Sequence, residues 1–236
     1  WKKGFVLEED FLQALTKEID IIFLCNPNNP TGLLVEKPLL EKILKRCQEL
    51  DILMAVDECF LDFVPSPEKY TLKEYLETYD NLFLLKAFTK RYAMAGVRLG
   101  YGLCGNKGLL GKMEGVCQPW NVSSMAQAAG LAALQEREYV EKGRQVTFQE
   151  LAYLKEELAA LGYPVYPSQA NYVFFTGPAD LYEKLEQKKI LIRDCSNYTG
   201  LSKGYYRVAV KKHEENQQLI RALKEIDRTK VENVIL

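Results

Sequence analysis

The chain has 236 residues, 47% of them hydrophobic, and its 31 basic and 32 acidic residues leave a formal net charge of −1. That length fits one large α/β domain or a domain and a half, with apolar material enough for a sizeable core. The near-balance of charge argues against a nucleic-acid partner, a polybasic membrane patch or an acidic tail, and no apolar run is long enough to cross a bilayer.

Apolar residues at Phe11, Leu12, Leu15 and Ile19 have helical spacing and predict a helix over residues 8–19. Residues 20–25 (DIIFLC) form a continuous apolar run, as expected for a buried parallel strand. The run ends in Asn26-Pro27-Asn28-Asn29-Pro30-Thr31-Gly32, a stiff turn. An amphipathic helix is expected over 39–50, and a buried strand over 52–56 that closes in Asp57-Glu58. Residues 83–85 and 98–104 read as two further strands. From Asn121 the pattern turns helical, over 123–134 and then 137–161, where Gly162-Tyr163-Pro164 stops it. A strand at 172–175, a helix at 179–188, strands at 190–193 and 205–210 and a helix at 213–226 complete the chain. Strand–helix–strand repeats indicate an α/β fold with a mainly parallel sheet over residues 1–136. Residues 137–236 read as a smaller α+β domain that begins with the long linking helix.

The six cysteines form no C-x-x-C pair and no zinc spacing, and several sit inside apolar runs. They read as reduced thiols packed as small hydrophobes. With no signal peptide or transit pattern, that implies a cytoplasmic protein. The single histidine, His213, precedes Glu214 and Glu215 at a helix start and reads as a surface or capping residue. The chain begins at Trp1 with residues that read as mid-domain material, so a fragment lacking its N-terminal part is expected.

In open α/β sheets, ligands bind beyond the carboxyl ends of the strands. Asn29 and Asp57 lie just past strand ends, and the stretch holding Lys86 and Lys90 connects two strands. Singly, each has an ordinary reading: an acid at a strand end, a solvated lysine, an arginine in an ion pair. Their order is more telling: N-P-x-N-P-T-G, then D-E, then T-K-x-Y-x-x-x-G-x-R-x-G-Y.

With these motifs in this order, the chain resembles the fold-type I pyridoxal phosphate (PLP) enzymes of the aspartate aminotransferase superfamily. Within it the chain is similar to the threonine-phosphate decarboxylase and histidinol-phosphate aminotransferase group. The resemblance implies PLP as cofactor, with Lys90 as its covalent anchor and a mover of protons. Lys90 stands six residues before Gly96 of G-x-R, the family's spacing, and Lys86 does not. The resemblance further implies that Asp57 faces the ring nitrogen and keeps it protonated. Asn29 would donate to the ring phenolate oxygen, and Arg98, helped by Thr89, would bind the phosphate. Arg207, on the strand 205–210, and Arg193 are implied as substrate-anion residues, suiting a substrate with two anionic groups. Asn171-Tyr172 and Gln118-Pro119-Trp120-Asn121 resemble further segments near the active site, less specifically.

Two positions depart from the pattern. Phe60 stands beside the cofactor where many relatives have a tyrosine that bonds the ring oxygen, and this favours the decarboxylase, whose members read D-E-x-F-x-D-F. Ala87 stands where relatives often carry a serine or threonine on the phosphate. One such hydrogen bond to a charged group is worth roughly 1.5–3 kcal/mol. The expected reaction is decarboxylation of L-threonine O-3-phosphate to (R)-1-aminopropan-2-yl phosphate, a step of cobalamin biosynthesis. The alternative is an aminotransferase acting on a substrate such as histidinol phosphate. A ligand-sensing module and an inactive truncated scaffold are the non-enzyme readings. The expected partners are a small phosphorylated amino acid or amine and a second copy of the chain, in a homodimer whose interface lies near Arg91, Tyr92 and Met94.

Overall fold

The computed structural model describes residues 4–234. The chain divides into two compact units. The larger comprises Val6–Asn28 and Leu34–Lys142; the smaller comprises residues 4–5, Asn29–Leu33 and 143–234.

In the larger unit, strands β1 (Ile21–Cys25), β2 (Leu53–Asp57), β3 (Leu82–Ala87) and β4 (Gly100–Cys104) form one sheet in the order β1-β2-β3-β4. The first three are parallel and β4 runs antiparallel to β3. Cys25 lies opposite Asp57, and Asp57 opposite Leu85, so β1 and β2 end level and β3 runs two residues further, to Ala87. Side chains alternate across the sheet. One face carries Met54, Val56, Leu82 and Leu84, all fully buried against helix α1 (Lys37–Glu49). That helix presents Leu40, Ile43, Leu44 and Cys47, the spacing of one helical stripe. Each such side chain stabilises the fold by about 1.5–3 kcal/mol on burial. On the opposite face Phe23 is 71% exposed.

The short helix α2 (Phe88–Arg91) follows β3 directly. Helices α3 (Lys107–Val116) and α4 (Ser124–Ala133) are capped by Asn106, whose Oδ1 accepts from the Leu109 N–H, and by Ser123, whose Oγ accepts from the Ala126 N–H. Helix α5 (Arg137–Ala160) begins in the larger unit and belongs to the smaller one from Gly143 onward.

The smaller unit holds β5 (Tyr172–Thr176), helix α6 (Leu181–Gln187), β6 (Arg193–Asp194), β7 (Tyr205–Ala209) and helix α7 (His213–Val234). Its sheet is antiparallel, in the order β5-β7-β6. Val173, Phe175, Tyr206 and Val208 meet Leu154 and Leu158 of α5 and Leu219 and Leu223 of α7 in its core. The segment Asn29–Leu33 is fastened here. Gly32 has a φ of +72°, and a Cβ on it would lie 1.8 Å from Ser168 Oγ, so only glycine fits this approach. The Gln169 N–H donates to Gly32 O at 2.8 Å.

Three expectations shift. The helix expected over 8–19 is a single 3-10 segment, Glu9–Ala14. It has no side-chain cap, and of its apolar residues only Leu15, just beyond its end, is buried. A short segment without a fully buried face does not hold an α-helix. The strand expected over 98–104 starts at Gly100, because Arg98 is left-handed at φ 59°, ψ 53°. The strand expected over 190–193 is reduced to Arg193–Asp194, the only two residues of β6 that pair with β7. Among the described residues no helix is long and apolar enough to cross a membrane.

Candidate active site

The larger unit gathers Asp57, Phe60, Thr89, Lys90 and Arg98; the smaller gathers Asn29, Arg193 and Arg207. Each set is built by local backbone geometry.

Asp57 is the last residue of β2, and its backbone oxygen accepts from the Asn26 N–H at 2.9 Å. Its Oδ1 accepts from the Cys59 N–H at 2.9 Å, a turn that fixes the carboxylate at the strand end. Phe60 follows, leading into a 3-10 turn. β3 runs two residues past the end of β2, and the chain passes from Ala87 straight into α2, which carries Thr89 and Lys90. The Lys90 Nζ lies 5.5 Å from the centroid of the Phe60 ring, and Lys90 has no carboxylate partner among the described residues. Attraction of an ammonium to a ring face holds it there weakly.

Lys86 is differently placed. Its Nζ lies 2.6 Å from Glu58 Oε2, and the Glu58 side chain is fully buried. Both Glu58 oxygens accept from the Thr71 hydroxyl at 2.9 Å, and Oε1 also from the Leu72 N–H at 3.3 Å. The amine of Lys86 is thus committed to a buried carboxylate, whereas that of Lys90 is exposed and unpaired.

Arg98 is exposed, and its Nη1 donates to Ala95 O at 3.0 Å. A non-glycine residue in the left-handed region costs roughly 1–3 kcal/mol and persists where its surroundings hold it. After Arg98 come Gly100 and Gly102, where a Cβ would meet Lys86 O at 2.9 Å and the Phe83 ring at 2.2 Å. These contacts explain Gly100, the last glycine of the motif, and Gly102 just beyond it by the closeness of β3 and β4.

In the smaller unit, Arg193 of β6 and Arg207 of β7 lie directly opposite one another. Arg207 Nη1 donates to Asn29 Oδ1, and its guanidinium lies 5.0 Å from the Tyr172 ring centroid. Arg193 Nη2 donates to Asn197 Oδ1 at 3.0 Å, and its guanidinium lies 5.9 Å from the Tyr198 ring centroid. Neither arginine has a carboxylate partner among the described residues. Both line a cavity of about 430 Å³ whose wall also carries Lys189 and Lys211, with Glu215 its one acid. Asn29 Oδ1 accepts from Arg207 and from the Tyr198 hydroxyl, the latter at 3.4 Å, which leaves Nδ2 as the unused donor of that amide.

Glu58 and Tyr198 are not singled out by the motif spacing. Glu58 stands in the D-E pair, but a buried partner for Lys86 shows only when β2 and β3 are paired. Tyr198 lies in the turn after β6, and only the fold brings it to Asn29, 169 positions earlier. His213 is half exposed on α7, with Nδ1 3.0 Å from Glu150 Oε1, as a surface residue would be. Among the described residues no cluster of three or more His, Cys, Asp or Glu could hold a metal ion.

The thiol of Cys59 is pushed up to about 12 by burial first, then by the hydrogen bond and charge of Asp57. Burial pushes Cys47 and Cys195 up to about 11. Raised values mean almost no thiolate near neutrality, and the thiolate is the reactive form. Iodoacetamide at pH 8 should therefore label exposed Cys117 and leave Cys47, Cys59 and Cys195 unmodified in the folded chain, as peptide mapping would show.

The profile of the aminotransferase class I and II family matches residues 4–223. The threonine-phosphate decarboxylase of Salmonella typhimurium is 37% identical over 227 residues, which cover 94% of this chain and 62% of that protein. The histidinol-phosphate aminotransferase of Methanococcus aeolicus is 32% identical over 232 residues, 95% of this chain and 61% of that protein. The chain thus spans about three-fifths of the length of these relatives. The crystal structure of the histidinol-phosphate aminotransferase from Clostridium acetobutylicum superposes with a TM-score of 0.91 at 29% identity, covering 96% of this chain and 70% of that one. On the family match and the shared fold, the chain belongs to the aminotransferase class I and II family.

Proposed function

We propose that this protein is a PLP-dependent lyase that decarboxylates L-threonine O-3-phosphate to (R)-1-aminopropan-2-yl phosphate. The observation that carries the substrate is the pair Arg193 and Arg207, directly opposite on antiparallel strands. Like charges placed so are destabilising by roughly 0.2–1 kcal/mol. The arrangement makes sense when anions lie against both, and a phosphorylated amino acid brings a carboxylate and a phosphate.

The residues of the larger unit fit the cofactor by their chemistry. An unpaired amine (Lys90) suits an aldehyde, a carboxylate (Asp57) suits a pyridinium nitrogen, and a guanidinium (Arg98) with a hydroxyl (Thr89) suits a phosphate. Phe60 adds an apolar ring beside the amine. When bound, the cofactor supplies an electron sink for the pair released as the bond to the carboxylate breaks. Asp57 would hold the proton on the ring nitrogen, which keeps that sink strong. Asn29, through Nδ2, would serve the ring oxygen, and Arg98 would neutralise the cofactor phosphate. Arg193 and Arg207 divide the two substrate anions between them and fix which bond is presented for cleavage. Lys90 would supply the proton that replaces the carboxylate on the substrate α-carbon. A cytoplasmic homodimer and a place in cobalamin biosynthesis belong to the same reading, as implied by the motif resemblance.

A second reading, amino-group transfer from histidinol phosphate, has the likeness to the Clostridium acetobutylicum enzyme in its favour. The two separate in one assay. Protein loaded with PLP receives L-threonine O-3-phosphate alone, and in parallel histidinol phosphate with 2-oxoglutarate. Release of CO2 without an acceptor is expected. Glutamate formation in the second mixture, without CO2 in the first, would replace the lyase by the transferase.

A further inference from the structure

We infer that Tyr198 is the positioning residue that holds the two substrate arginines in register for a doubly anionic substrate. The inference rests on the reading of Arg193 and Arg207 as anion-binding residues.

The two arginines stand directly opposite on β6 and β7, and neither has a carboxylate partner among the described residues. Left to themselves they repel, and Arg193, which is exposed, would swing into water. Tyr198 acts on both. Its ring lies 5.9 Å from the Arg193 guanidinium, and the negative face of an aromatic ring attracts a cation. Its hydroxyl donates to Asn29 Oδ1, which also accepts from Arg207. One side chain therefore restrains Arg193 through its ring and Arg207 through a shared acceptor.

Tyr198 is itself held. Its N–H donates to Cys195 O at 3.1 Å, and its carbonyl accepts from the Leu201 N–H at 3.0 Å. The preceding turn is closed by the Ser196 N–H on Asp194 Oδ1 at 2.8 Å. Asn197 adds an amide oxygen to Arg193. Residues 194–198 thus form a clamp built on the end of β6. A group held in its bound geometry beforehand loses less freedom when the ligand arrives. Tyr198 accordingly favours ligands that need both arginines at once.

Two variants divide the roles. Tyr198→Phe keeps the ring and removes the hydroxyl; Tyr198→Leu removes both. Binding of inorganic phosphate is measured by calorimetry on the chain saturated with PLP, so that the cofactor's phosphate position is filled. Losing a long neutral hydrogen bond should weaken phosphate about threefold in Tyr198→Phe. Losing the ring as well should bring the total in Tyr198→Leu to about tenfold. Thermal midpoints should stay within a few degrees of the parent. With L-threonine O-3-phosphate the same order should appear in KM, with kcat nearly constant.

Equal phosphate affinity in all three proteins, or none in the parent, overturns the inference whatever the turnover. A fall in kcat with unchanged KM overturns it too. The graded loss of phosphate affinity without any CO2 release leaves Tyr198 in its role and removes only the decarboxylation reading.

Discussion

Lys90→Ala is expected to abolish the covalent cofactor band near the visible edge and to lower turnover by at least a thousandfold. Two losses combine. On the proposed reading the amine is the attachment point, so its removal would leave the cofactor held only by Arg98, Asp57 and their neighbours. The same amine would move the proton, and losing a positioned acid–base group costs about 10²- to 10⁴-fold by itself. The geometry makes the choice of lysine sharp. Lys90 is exposed over the Phe60 ring, while Lys86 is locked onto a buried carboxylate. Borohydride reduction followed by peptide mapping checks the attachment directly. Label on Lys86, or a Lys90→Ala protein with the parent's band and rate, would remove Lys90 from the role.

Lys86→Met should instead leave the band in place and unfold the protein earlier. Glu58 is fully buried and the Lys86 side chain is 16% exposed. Removing one partner of a buried pair leaves a charge without compensation, at a cost of about 3–5 kcal/mol. Residual water at Lys86 and the bonds from Thr71 and Leu72 place the effect near the lower end. For a chain of this size about 3 kcal/mol lowers the thermal midpoint by roughly 6–12 °C. Adding Glu58→Gln to Lys86→Met should restore most of that, since a neutral amide keeps partners and loses the stranded charge. A midpoint unchanged by Lys86→Met would mean that the pair contributes nothing. The two lysines thus separate by readout, one through the spectrum and the other through the melt.

Much of the framework is legible in the sequence, for identifiable reasons. β2 is a continuous apolar run buried over most of its length, and α1 shows its stripe plainly. β1 is an equally apolar run, but the expectation that it is buried fails on one face, where Ile21 and Phe23 are 40% and 71% exposed. α3 is not visible in advance. Its sequence KGLLGKMEGV carries three glycines, each costing a helix about 1 kcal/mol relative to alanine. The Asn106 cap offsets part of this cost, and that contribution depends on local geometry. The motif order separates the candidate residues from ordinary surface charge, but it does not assign them to units. Asn29 lies between β1 and α1 in sequence, yet it belongs with Arg207 in the smaller unit, through contacts to residues far along the chain. The Lys86–Glu58 pair and the Tyr198 clamp depend on strand pairing and turn geometry, which no short window contains.

The facing arginines also bear on how this lineage can drift. On the proposed reading, in which the two arginines hold a doubly anionic ligand, the site carries a cross-strand repulsion of roughly 0.2–1 kcal/mol that the empty fold would be better without. A descendant released from the reaction would gain stability by exchanging either Arg193 or Arg207 for a neutral β-former. The first substitutions to accumulate should fall at Arg193 and Arg207, ahead of any at their buried neighbours Tyr206 and Val208. Loss of one arginine would then mark a homologue that has left this chemistry before its fold records the change.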